Sequence, residues 1–229
     1  FDKRVDRARI SRKKIERALP FIQLLGSIPF VRMIGMSGGV SMMNAGYADD
    51  IDFFISASAG RLWTTRICLL AGAEFFGLRR KRHSHRVKDM FCFNLFFEET
   101  DLTVPKEKQN PYIAHEIVQM KPIIVKNEAY SRFLVANQWV ARFFPNSHRL
   151  NSVQNTALYG ENVYSEQHTN RSNKYKRNTN YIGDVIEFLC KKVQLFVMER
   201  HRTNERITDT QLWFFPRDFE KKLKKKNVI

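Results

Sequence analysis

A chain of 229 residues that is 43% hydrophobic and 27% charged has enough apolar material for a buried core and too much for a disordered or fibrous protein. Its 39 Lys and Arg against 23 Asp and Glu leave a formal charge of +16, which predicts a polyanionic partner, nucleic acid or anionic lipid first. Cys68, Cys92 and Cys190 each lie in an apolar run without CxxC spacing, which excludes a disulfide framework or a zinc knuckle and points to reduced thiols in the cytoplasm.

No apolar stretch reaches the roughly 18 residues that span a bilayer, since Ile67 to Phe76 is interrupted by Glu74. The first residue is Phe1 rather than Met, so an upstream transit segment and an organellar compartment stay open. Asp2 to Arg17, with eight basic and three acidic residues and apolar Ile10 and Ile15, reads as a basic amphipathic helix. Pro20 and Pro29 then bracket a short apolar helix from Phe21 to Leu25. The run Phe30 to Met36 is a buried strand, Ser37-Gly38-Gly39 a turn, and Val40 to Ala45 the start of a helix that Gly46 breaks.

Asp50 to Ile55 is a second strand, and the proline-free apolar stretch Gly60 to Gly77 a helix covering one face of a sheet. A basic segment follows, RRKRHSHRVK, and then a third strand, Met90 to Phe97. Simple alternation puts Met90, Cys92, Asn94 and Phe96 on one face of it and Phe91, Phe93, Leu95 and Phe97 on the other. With both faces largely apolar, this strand is central, and its phenylalanines are core. Asn110-Pro111 starts a helix through Gln119, Ile123 to Val125 is a short strand, and Glu128 to Phe144 has helical spacing. Residues 146–181 are a polar insertion without sustained period whose scattered tyrosines could stack on bases, Ile182 to Arg200 is an amphipathic helix, and KKLKKK lies in the tail. The chain thus divides into a basic helical segment (1–28), a core (29–109) and a mainly helical C-terminal region (110–229).

The stretch Ile34 to Ile55 carries the chemistry. A strand ends in a Gly-Gly turn, and after ten intervening residues a second strand presents Asp50 and Asp52. Carboxylates at i and i+2 of a strand share a face, with α-carbons about 6.5 to 7 Å apart, a spacing that suits Mg²⁺ or Mn²⁺ bridging a triphosphate. Glycines let backbone amides approach phosphate oxygens, and Ser37 or Ser41 adds a hydroxyl. Either element alone is commonplace. Together they are specific.

On these residues the chain resembles the nucleotidyltransferase superfamily, whose signature hG[GS] followed by hDhDh is matched by Ser37-Gly38-Gly39 and Asp50-Ile51-Asp52. With GRLWTTR, KDMFCFNLFFEE and YIAHEIVQMKP, the stretch from Gly35 to about Asn146 looks like a bacterial nucleotidyltransferase-like branch. The resemblance implies an α+β fold with a small mixed sheet flanked by helices. It further implies Asp50 and Asp52 as metal ligands, an NTP at Ser37, Gly38, Gly39 and Ser41, and a third carboxylate on the next, antiparallel strand to activate an acceptor hydroxyl. There the sequence departs, with Asn94 at the expected position. Asn can offer an oxygen to a metal but is no base at pH 7. Asp89 at the strand mouth and Glu98 past its other end are the substitutes at hand.

His115 and Gln119 share a helix face but make a poor metal pair, and His115 reads as structural. Arg79, Arg80, Lys81, Arg82, Arg86 and Lys88, a basic loop near the presumed site, either face solvent or grip nucleic acid. The resulting expectation is a Mg²⁺-dependent enzyme that transfers an NMP from an NTP to a hydroxyl acceptor, RNA by its charge. The alternative is a catalytically weakened relative acting as an RNA-binding or ribonucleoprotein component.

Overall fold

The computed structural model describes residues 2–81, 87–146, 165–167, 180–200 and 205–214. Its centre is a seven-stranded mixed sheet in the order β5-β4-β1-β2-β3-β7-β6. The strands are β1 (Val31–Ser37), β2 (Ile51–Ala57), β3 (Phe91–Glu98), β4 (Lys121–Lys126), β5 (Ser165–Gln167), β6 (Arg206–Ile207) and β7 (Gln211–Trp213). The first three lie side by side, as their sequence pattern requires. β1 runs antiparallel to β2, so Ser37 at its end meets Asp52 near the start of its neighbour.

β3 is parallel to β2, not antiparallel as the resemblance implied. A parallel neighbour needs a crossover, and helix α3 (Leu62–Phe75) provides it. β3 is indeed interior, flanked by β2 and β7. Its register slips between Phe53 opposite Phe93 and Phe54 opposite Leu95, leaving Asn94 as a bulge residue. The extra residue overturns simple alternation. Phe96 joins Phe91 and Phe93 on one side of the sheet, while Phe97, with Leu95 packed against the same cluster, belongs to the other. All four phenylalanines are buried.

Helices cover both faces. On one, α1 (Asp2–Gly26) and α3 bury Ile15, Ala18, Ile22, Leu25, Leu62 and Leu69 against Ile51, Phe53 and Ile55. α1 is one helix, running through Pro20 where the sequence suggested two. Proline removes one backbone donor, but apolar side chains on both sides of it sit in the same core, and burying each contributes about 1.5–3 kcal/mol. On the other face, α4 (Pro111–Gln119) and α5 (Ala129–Ala136) pack Ile113, Ile117 and Phe133 against Phe54 and Phe97. Asn110 caps α4 as its sequence promised, its side chain accepting the Ile113 N–H at 3.0 Å.

The helix expected from Glu128 to Phe144 stops at Ala136 and resumes as a 3₁₀ turn, Gln138–Arg142. Buried Asn137 breaks it, because its amide serves Val104, Leu102, Phe133 and Trp139 at once. Beyond residue 110 the described residues hold strands as well as helices. α4, α5 and α6 (Tyr181–Glu199) alternate with four short strands that widen the sheet at both edges. The first of them contains the strand expected at Ile123 to Val125; the other three, of two or three residues, are too short for a period-2 pattern to register. Most of the polar insertion lies outside the described residues. Among the described residues no helix is long and apolar enough to cross a membrane.

Candidate acidic site on the sheet

The site forms where the turn after β1 meets the start of β2. Gly38, the first residue of the short helix α2 (Gly38–Ser41), has φ +65°, a conformation strained for any side chain. A β-carbon there would lie 2.5 Å from Oδ2 of Asp52. The glycine is therefore required both by its backbone and by the carboxylate beside it. Ser41 is buried and its hydroxyl donates to the Gly38 carbonyl at 2.8 Å, so it shapes the turn from within. Ser37 is buried at the end of β1, opposite Asp52. Gly39 packs against Ala45.

Asp50 and Asp52 share a face, as their spacing demands, and with Cys92 of β3 they offer three ligand atoms within 4.8 Å of one another. Burial first, and the Asp50 charge second, raise the Asp52 carboxyl to about 6. Asn94 donates from Nδ2 to Oδ1 of Asp52 at 2.6 Å. The Cys92 thiol donates to the Asn94 oxygen at 3.0 Å, and burial together with the two aspartates pushes it up to about 12. At neutral pH it is a protonated thiol, so the anionic donors are the two carboxylates.

Arg80 is part of this constellation. Its guanidinium pairs with Asp50 and lies 3.6 Å from the Cys92 sulfur. Arg79 and Lys81, also expected to grip nucleic acid, both pair with Glu74, at 3.6 and 2.7 Å. Lys88 sits 3.6 Å over the exposed ring of Tyr47. Arg82 and Arg86 lie outside the described residues.

The structure separates Asp89 from the acidic pair. Its carboxylate takes a hydrogen bond from Lys14 of α1 at 2.6 Å and lies 3.9 Å from Arg17. Lys14 also donates to the carbonyls of Tyr47 and Asp49. Alongside it Arg4 reaches the carbonyls of Met42 and Met43, Arg7 reaches Asn44, and the Ser11 hydroxyl accepts the Ala45 N–H. Much of the basic face of α1 is thus spent holding the 42–49 loop, which joins the glycine turn to the aspartates. Glu98 stands at the far end of β3, opposite Ala57.

A carboxylate that the sequence did not place arrives from α4. Glu116 lies close enough to the backbone N–H of Gly38 to be stabilised by it, and it accepts a hydrogen bond from Gln119 Nε2 at 2.5 Å. Burial first, and the Asp52 charge second, raise it to about 7. Its neighbour His115 instead packs near the Phe144 ring, a structural role. Beneath Glu116 and Ser37 lies an apolar cavity lined by Phe54, Leu95 and Phe97. At about 20 Å³ it holds a water-sized group rather than a nucleotide base. The amphipathic pattern of α4 announced only that one face is buried. That this face meets Gly38 follows from the sheet order.

The two close carboxylates, with a third near the glycine turn, are oxygen donors of the kind that could hold a hard divalent cation. Compared with family models, curated proteins and solved structures, the chain finds no match.

Proposed function

We propose that the chain is a divalent-metal-dependent nucleotidyltransferase that moves an NMP from an NTP to a hydroxyl acceptor, RNA by the chain's charge. The observation that carries this reading is the packing of the glycine turn on Asp52, whose carboxylate clusters with that of Asp50 and lies within electrostatic reach of Glu116. Asp50 and Asp52 would hold Mg²⁺ or Mn²⁺, which when bound neutralises charge on the triphosphate. Burial first, and the Asp50 charge second, disfavour the Asp52 carboxylate, and a bound cation would offset both.

In the transfer, the acceptor oxygen bonds to the α-phosphorus, the bond from that phosphorus to the bridging oxygen breaks, and pyrophosphate leaves. The acceptor proton must go to a base. Asp89 is committed to Lys14 and Asn94 carries none of the needed basicity, so the role falls to Glu116. A carboxyl near 7 is suited to it, because it is largely ionised just above neutrality yet basic enough to take a proton. Arg80, freed from Asp50 by the cation, would meet the phosphates.

One observation favours the weakened alternative. The Arg80 cation already neutralises Asp50, and the Asn94 amide already satisfies one oxygen of Asp52. A protein that binds nucleotide or RNA without transfer could keep these contacts. Incubation with labelled NTPs, Mn²⁺ and bulk RNA decides between them. Label joined to RNA with release of pyrophosphate supports the enzyme, and metal-dependent NTP binding without transfer supports the alternative. Undetectable NTP binding with Mn²⁺ sinks the enzyme, and undetectable RNA binding besides sinks the alternative.

A further inference from the structure

Helix α6 is attached to the body by its polar side. Glu187 accepts the backbone N–H groups of Trp63 and Thr64 at 2.7 and 2.8 Å, so it caps the first turn of α3 from another element. Asp184 accepts from Arg61 at 2.7 Å, and Gln194 Nε2 donates to the Trp63 carbonyl at 2.8 Å. Gly183 lies flat on the Arg61 guanidinium, where a β-carbon would overlap it. Few apolar contacts share this side, chiefly Cys190, Leu195 and Met198.

The opposite side is apolar and open. Ile182, Ile186, Leu189, Val193 and Phe196 are 45 to 68% exposed. They follow one another at spacings of four, three, four and three residues, the heptad seam that two helices share when they pack side by side. Tyr181, Val185, Phe188 and Val197 broaden the stripe. A surface helix normally turns its apolar face inward. Here the polar contacts to α3 hold it the other way round.

We propose that α6 is a self-association helix, through which two copies of this chain pair across a two-fold axis by their Ile182-to-Phe196 seams. The seam calls for a second helix with the same spacing, and a second copy supplies one by symmetry. No stretch of the chain outside the described residues carries a comparable row of five large apolar residues. The area is also right. Nine large side chains at roughly half exposure present on the order of 800 Å², about what one partner of a standard stable interface buries and above the few hundred Å² of an ordinary monomer patch. Lys192 over the Phe188 ring at 5.4 Å and Arg200 over Phe196 at 4.7 Å give the stripe a charged rim. This inference is independent of the nucleotidyl-transfer reading.

The test is the solution mass of the full chain by sedimentation equilibrium at micromolar concentration. Twice 27.1 kDa is expected. Leu189→Lys and Val193→Lys, each placed where the side chain is more than half exposed, should give monomers that keep the circular dichroism of the folded parent. Phe75→Lys, which removes an 85% exposed ring from α3, should leave the dimer intact. A monomeric parent, a dimer that survives both α6 substitutions, or a dimer that Phe75→Lys also breaks overturns the proposal. So does a parent that is monomeric and binds vesicles of anionic phospholipid through the same residues.

Discussion

Gly38 and Asp52 are so closely apposed that a single added methyl group on the glycine would stand 2.5 Å from the Asp52 Oδ2. The turn and the carboxylate therefore behave as one unit. Gly38→Ala must both strain a left-handed backbone and displace Asp52. We expect a loss of about 1–3 kcal/mol of stability, read from urea denaturation, and a larger fractional loss of Mn²⁺-dependent NTP binding. An alanine variant that binds as well as the parent would dissociate the turn from the site.

Asp52→Asn should separate stability from function. Removing a carboxylate that is buried beside another relieves repulsion, so the variant should be as stable as the parent or more so, while metal-dependent NTP binding disappears. Asp50→Asn differs in that it releases Arg80, so it should lose binding without gaining stability. Calorimetry with and without Mn²⁺ reads both quantities.

Glu116→Gln keeps the shape and removes the base. If Glu116 takes the acceptor proton, NTP binding should change by no more than a few fold, and transfer should fall by about 10²–10⁴. The rise of rate with pH near 7 should vanish with it. A parent-like pH profile in the variant would move the base elsewhere.

The metal-free protein should lose stability as pH rises from about 4 to about 7. Asp52 and Glu116 are both raised in the fold, so across that window the folded chain holds more protons than the unfolded one, and stability has a negative slope. The penalty is complete above the folded values and absent below the ordinary carboxylate range, and for each group is on the order of a few kcal/mol. Urea midpoints in EDTA, compared between the parent and an Asp52→Asn, Glu116→Gln double variant, isolate this slope from that of other groups. Added Mn²⁺ should flatten it.

Glu187→Ala should cost about 1–3 kcal/mol by leaving the first N–H groups of α3 unsatisfied where the helix is buried. Hydrogen exchange at Trp63 and Thr64 should quicken more than elsewhere. Equal quickening along all of α3 would mean that the helix is held by its packing alone.

Local chemistry by itself determined the parts of this protein that depend on neighbours in the chain. The β-branched and aromatic runs made β1 to β3, the period of two placed Asp50 and Asp52 together, and Asn110-Pro111 began α4. The tertiary structure decided what depends on residues far apart in the chain. A one-residue bulge at Asn94 re-sorted Leu95, Phe96 and Phe97, since alternation holds only while register does. Core packing carried α1 through Pro20, and the parallel pairing of β2 with β3 followed from α3 lying over the sheet. Glu116 reached Gly38, and Arg80 reached Asp50, across 78 and 30 positions of chain that no periodicity links. α6 read as an ordinary amphipathic helix. Only the polar sockets on α3 turned its apolar stripe outward, because a carboxylate that caps a buried helix end holds its own side against the body.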